Sequence, residues 1–209
     1  MENPNYVRVG DKKYKLNTSY KTAIECNEIA QNVEIGDYER ALGIIYTLYG
    51  DDGLNSHEDW QKLLELGLKY LSLGIDTKTA NNAISEPDFD YIQDMDYIKS
   101  SFMFDYGIDL DKEPDMHWWT FARLLNGLSN SEFGNCCILS RVRNLRNLDL
   151  SQIKDAKERS RLAKAKEEVK LKPRNVKELS QEYTQEEKNS INRFYEEMGI
   201  LRKEEENGI

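Results

Sequence analysis

Asp96-Tyr-Ile-Lys-Ser-Ser-Phe-Met-Phe-Asp-Tyr-Gly-Ile-Asp-Leu-Asp-Lys-Glu-Pro-Asp-Met-His-Trp-Trp-Thr-Phe-Ala-Arg-Leu-Leu-Asn-Gly-Leu128 is the stretch that decides the fold. Its aromatic residues recur at helical spacing, in two segments joined by Gly107-Ile108-Asp109-Leu110. The first pattern runs from about Asp88 to Asp105 and sets Tyr91, Met95, Ile98, Phe102 and Tyr106 on one stripe, because such steps return to the same side of a helix. Tyr97 and Phe104 point elsewhere, onto a face that otherwise carries Asp90, Gln93, Ser100 and Ser101, and form a second apolar patch. In the next pattern Pro114 suits the first helical turn and Asp115 the positive end of the helix dipole. His117, Trp118, Phe121, Ala122, Leu124, Leu125 and Leu128 then share one broad side, with Trp119 on its flank one turn from Arg123.

Upstream, Tyr6 to Val9 and Lys12 to Leu16 are short strand-like runs separated by Gly10-Asp11, which suits a two-residue turn with Gly first and predicts a small β-hairpin. A lone hairpin is marginal in water, so it must lie on helices or pair with a neighbouring subunit. Everything after Asn17 reads as helix. Thr18 or Ser19 serves as N-cap, and Ile24, Cys26, Ile29, Ala30 and Val33 form a loose apolar set. Gly36-Asp37 resets the chain, Tyr38 to Tyr49 carries Leu42, Ile45, Leu48 and Tyr49, and Gly50-Asp51-Asp52-Gly53 breaks it. Ser56 with Asp59 has the capping pattern for a helix bearing Trp60, Leu63, Leu64, Leu68 and Leu71, closed by Gly74.

Downstream, a helix from Glu132 carries Ile138, Val142 and Leu145 among Arg141, Arg143 and Arg146. From Ser151 to Lys172 charge dominates, the pattern of an exposed helix or one ordered on binding. Pro173 stops it, and Thr184 with Glu187 opens a last amphipathic segment bearing Ile191, Phe194, Tyr195 and Met198. The expectation is a mainly α protein: a compact helical body over residues 1–150 with an N-terminal β-hairpin, and a charged helical C-terminal arm over 151–209.

The net charge is −9, unevenly placed: residues 1–150 hold 15 Lys and Arg against 25 Asp and Glu, and residues 151–209 hold 14 against 13. An acidic body repels phosphate backbones, so nucleic acid is not the expected partner. The basic stretch Lys154 to Lys172 lacks the aromatic residues that stack single-stranded bases. No apolar run is long enough to span a membrane and no signal-peptide pattern stands at the N-terminus, which points to a cytosolic protein. Cys26, Cys136 and Cys137, odd in number and without zinc spacing, suit a reducing compartment.

Chemistry-bearing motifs are missing. Asp105, Asp109, Asp111, Glu113 and Asp115 invite a calcium reading, but counting from Asp109 puts Pro114 where an EF-hand needs Gly and Thr120 where it needs Glu. His57 and His117 are the only histidines, and neither accompanies a nucleophile elbow, phosphate loop or dinucleotide fingerprint. His117 reads as a hydrogen-bonded core or boundary residue and His57 as an exposed one. Cys136 and Cys137, inside an apolar helix, are expected to be inert. No catalytic residue, metal or cofactor is expected.

Tyr97-Ile98, Ser101-Phe102, Asp105-Tyr106-Gly107-Ile108-Asp109-Leu110, His117-Trp118-Trp119, Phe121, Leu124-Leu125 and Gly127-Leu128, with a looser continuation at Phe133, Arg141 and Arg143, resemble the gene product fifteen family of tailed phages of Gram-positive bacteria. The resemblance implies a tail assembly chaperone that keeps the long tape measure protein soluble while tail tube subunits polymerise around it. It implies the tape measure protein as partner, with the tail tube protein a second candidate and self-association expected. It carries no catalytic motif. Other classes remain open: a structural tail or connector component of the virion, and a DNA-associated accessory protein using the basic stretch.

Trp, Tyr and Arg dominate binding hot spots, whereas aromatic stripes more often pack cores. Trp118, Phe121, Tyr91 and Phe102 are accordingly assigned to the core. Tyr97, Phe104, Trp119 and Arg123, together with Phe194, Tyr195 and Met198 in the tail, are the expected partner contacts. A cation–π pair between Trp119 and Arg123 within one helix is the competing reading of those two.

Overall fold

The computed structural model describes residues 3–75, 88–130 and 136–172, and the fold is mainly α with one small antiparallel hairpin. The chain divides into two compact units: residues 3–18 and 25–75 make the first, and residues 19–24, 88–130 and 136–172 the second.

In the first unit, β1 (Tyr6–Val9) and β2 (Lys12–Lys15) pair in register from Tyr6 opposite Lys15 to Val9 opposite Lys12. α1 (Tyr20–Gln31) contributes its later residues, followed by α2 (Asp37–Leu54) and α3 (Trp60–Leu71). Cys26, Ile45, Leu48, Leu63 and Tyr70 are buried together with Tyr14 and Leu16 of the hairpin region, so the hairpin does lie against helices as its marginal stability demands. Burial pushes the Cys26 thiol up to about 12, and also raises Tyr49 and Tyr70. Gly50 leaves helical geometry at φ 64 and ψ −154, so the helix is interrupted where the glycine was expected to break it, and one more helical turn follows to Leu54.

Two expectations change here. Ser56 and Asp59 do not form a capping box. Ser56 Oγ donates back to the Asp52 carbonyl, a 3-10 turn covers His57–Asp59, and the Asp59 carboxylate accepts from Tyr14 Oη at 2.5 Å and Lys12 Nζ at 3.1 Å. Its oxygens anchor the hairpin and leave the helix end uncapped by a side chain. The buried line of α3 is Leu63, Gly67 and Tyr70, while Leu68 is 46% exposed; Tyr70, omitted from the expected stripe, replaces it.

The second unit holds the first turn of α1, then α4 (Met95–Tyr106), α5 (Trp118–Asn126), α6 (Ile138–Asn147) and α7 (Ala156–Glu168). Its centre is a run of rings. Tyr20 stacks on Phe121 at 4.6 Å, Phe121 on Phe102 at 5.2 Å, and Trp118 lies 5.9 Å from Phe121. Tyr91 meets Trp118 edge-on at 6.0 Å, although Tyr91 itself is only half-buried. The charged stretch after Ser151 does form a helix, capped by the Asp155 side chain, which accepts from the Glu158 N–H; no residue of α7 is fully buried. Among the described residues no helix is long and apolar enough to cross a membrane.

Candidate partner-binding site

α4 has the two-faced character that its spacing implies. Ile98 and Phe102 are fully buried, while Phe104 is 68% and Met103 48% exposed. The helix begins later than expected: residues 91–94 are a turn, and α4 starts at Met95. Its other end is closed by Gly107 in the left-handed region at φ 65, with Gly107 N–H donating to the Met103 carbonyl and Ile108 N–H to that of Phe102. This Schellman closure satisfies carbonyls at the end of the helix that bears Phe104 and fixes where the face stops.

Three polar links hold α4 so that its outer face has a defined orientation within the unit. Ser101, fully buried, donates from Oγ to the Tyr97 carbonyl at 2.6 Å and accepts from Leu139 N–H at 3.0 Å, joining α4 to the first turn of α6. Asp105 receives both the N–H and the hydroxyl of Ser129, at 2.7 and 2.8 Å. Tyr106 Oη donates to the Leu124 carbonyl at 2.8 Å; burial raises its pKa. Just before α4, Asp94 is fully buried and paired with Arg146 by two bonds of 2.7 Å. Arg146 also donates to the carbonyls of Asp88 and Val169, so one guanidinium gathers the ends of three segments. Burial opposes the charge on Asp88, yet hydrogen bonds from Arg143 and Asn147 hold its carboxyl below the usual carboxylate range.

The expected site residues fall out as follows. Phe104 is exposed, and Tyr97, on the same side of α4, is half-buried. Trp119 is half-buried and Arg123 exposed on α5, where Arg123 Nε donates to the Trp119 carbonyl at 2.9 Å; the two are brought together by a hydrogen bond along the helix. Phe194, Tyr195 and Met198 lie outside the described residues. Met103 was missed. It stands beside Phe104 and off the Ile98–Phe102 stripe, an offset that the sequence already contained.

His117 is not a member of the helical side it was assigned to. It is the N-cap of α5, accepting from Trp119 N–H on Nδ1 at 3.0 Å, and it bridges to Ser19 in antiparallel fashion. Pro114 and Asp115 therefore precede the helix by a turn and neither begins it. Likewise α6 starts at Ile138, with Cys137 as an extended N-cap, so the cysteines stand before that helix and not inside it; Leu139 and Val142 are buried while Ile138 is 39% exposed. Among the described residues no His, Cys, Asp or Glu cluster is placed to hold a metal ion.

A family model described as Bacteriophage Gp15 protein matches residues 3–171 of the chain. No curated protein and no solved structure matches it.

Proposed function

Starting from the premise that the chain belongs to the Bacteriophage Gp15 protein family, we propose that it acts without catalysis as a tail assembly chaperone, sheltering the tape measure protein of its phage until tail tube subunits enclose it. The observation that carries this reading is the outer face of α4, where Phe104 and Met103 stand in solvent on a helix whose other side is sealed by Ile98 and Phe102. A long helical protein with bare apolar faces aggregates unless those faces are covered, and an exposed aromatic on a rigid helix can cover one by helix-on-helix docking. Tyr97 extends the face, and Trp119 with Arg123 offers residue types that dominate hot spots. Reversibility suits so small a patch, since transient contacts are the smaller ones.

The test is coexpression with the tape measure protein from the same phage. The expected result is soluble tape measure protein that copurifies with this chain, and loss of both with Phe104→Asp while the variant melts like the parent, because a surface change costs less than about 0.5 kcal/mol. Equal recovery of tape measure protein without this chain overturns the reading. Stoichiometric presence of the chain in purified particles by mass spectrometry would instead favour a structural component of the tail.

A further inference from the structure

We infer that the edge of β1 left without a partner strand among the described residues, together with the outer face of the hairpin, forms a docking site for an extended acidic polypeptide segment, which adds to the sheet as a third strand. Within a chain of net charge −9, the hairpin carries Arg8, Lys12, Lys13 and Lys15 against Asp11 alone. Lys12 has carboxylate partners in Glu58 and Asp59. Arg8, Lys13 and Lys15 are exposed, and among the described residues none of the three makes an ion pair.

The register places these cations on one side. Leu16 N–H donates to the Asn5 carbonyl, so the hydrogen-bonded pairs continue as Val7 with Tyr14 and Val9 with Lys12, leaving Tyr6 with Lys15 and Arg8 with Lys13 as the non-hydrogen-bonded pairs. Two consequences follow. Arg8 and Lys13 face each other at the closest cross-strand separation, an arrangement of like charges that destabilises the hairpin by itself. Tyr6 and Arg8 also turn their N–H and C=O groups away from β2, and the described sheet has no third strand to receive them.

A strand laid beside β1 satisfies both deficits at once. Its backbone pairs with Tyr6 and Arg8, and acidic side chains at alternate positions lie among Arg8, Lys13 and Lys15, with small apolar residues between them facing the side of Val7 and Val9. The same cations repel the hairpin edge of a second copy, so the edge rejects its own kind. A nucleic acid fits less well. Lys13 Nζ sits 3.7 Å from the centre of the Tyr6 ring and occupies a face on which a base would stack, and few cations on an acidic chain give little counterion release.

The probe is a fluorescent peptide of alternating Glu and Val, titrated into the full chain at low salt and at about 0.5 M salt. Binding that weakens at least about tenfold in high salt is expected, and so is a comparable loss with Lys13→Glu. That variant keeps the hairpin folded by placing opposite charges across from each other at positions 8 and 13. Tyr6→Pro, which removes an outward N–H and no ladder bond, should also abolish binding. On the unaltered protein, hydrogen exchange at Tyr6 and Arg8 should slow with saturating peptide while Val7 and Val9 are unchanged. No binding, unchanged exchange at Tyr6 and Arg8, or tighter binding to duplex DNA than to the peptide overturns the proposal.

Discussion

Arg146 is where the second unit depends most on one side chain. Its guanidinium meets the Asp94 carboxylate in a two-bond fork and the carbonyls of Asp88 and Val169, with 9% of the side chain exposed on one partner and none on the other. A buried pair contributes little against an apolar substitute, but removing one member strands the other charge without water. Arg146→Ala should therefore lower the unfolding free energy by about 3–5 kcal/mol in urea titrations. Arg146→Lys should fall between, since an ammonium cannot reproduce the planar fork. Asp59 makes a pH-dependent counterpart in the first unit. The Tyr14 hydroxyl, opposed by burial and helped by Lys12, holds its carboxyl below the usual range, while burial raises Tyr14. A folded pKa below the unfolded one means stability that is complete above the unfolded value and lost as pH falls through the folded one. Urea midpoints should drop as the solution is acidified below about pH 4. In Asp59→Asn that acid limb should be shallower, with the neutral-pH stability already reduced.

At the level of elements, α5 shows how a helix can begin without the residues usually read as its start. His117 supplies the acceptor for Trp119 N–H, and Tyr20 N–H reaches the Met116 carbonyl just before it, so the helix end is set from a segment distant in sequence. Losing a side-chain cap costs about 0.5–2 kcal/mol, so His117→Ala should lower stability by that amount and His117→Asn should restore most of it, as read from thermal melts followed by circular dichroism. The hairpin, the stop at Gly107 and the two faces of α4 were legible because each rests on local spacing: a glycine-led turn, a left-handed glycine, a repeat near 3.6. What the sequence concealed depends on partners far along the chain. Asp59 resembles a capping residue until Tyr14 is brought to it, and nothing near Asp94 announces Arg146. The start of α6 at Ile138 also escaped, because an unbroken apolar pattern through Cys136 and Cys137 hides an extended N-cap. Of the candidate partner face, Phe104 was readable as off-stripe, but its 68% exposure beside Met103 required the packed arrangement of α4 with α5 and α6.

For the whole molecule, the order of segments along the chain is not the order of its compact units. Residues 19–24 belong with the unit formed by 88–130 and 136–172, although residues on both sides of them belong to the other. Tyr20 is 2% exposed there, stacked on Phe121, with its hydroxyl donating to the Leu110 carbonyl at 3.4 Å; Ser19 Oγ donates to the Pro114 carbonyl at 2.9 Å. A cut near residue 76, where the longest stretch of the first unit ends, therefore separates a fully buried ring from the rings that bury it. A fully buried large side chain of this kind is worth roughly 1.5–3 kcal/mol, and both Tyr20 and Phe121 lose cover in the cut. A marginally stable unit tolerates little of that. The fragment 1–76 and the fragment 77–172 should each melt broadly and tend to aggregate, whereas the full chain melts sharply. Mixing the two fragments should recover part of the near-ultraviolet circular dichroism signal as Tyr20 returns to Phe121, and Tyr20→Ala in the first fragment should prevent that recovery. Sharp, independent transitions in both isolated fragments would show that residues 19–24 are dispensable to the ring core, contrary to the stacking that holds them there.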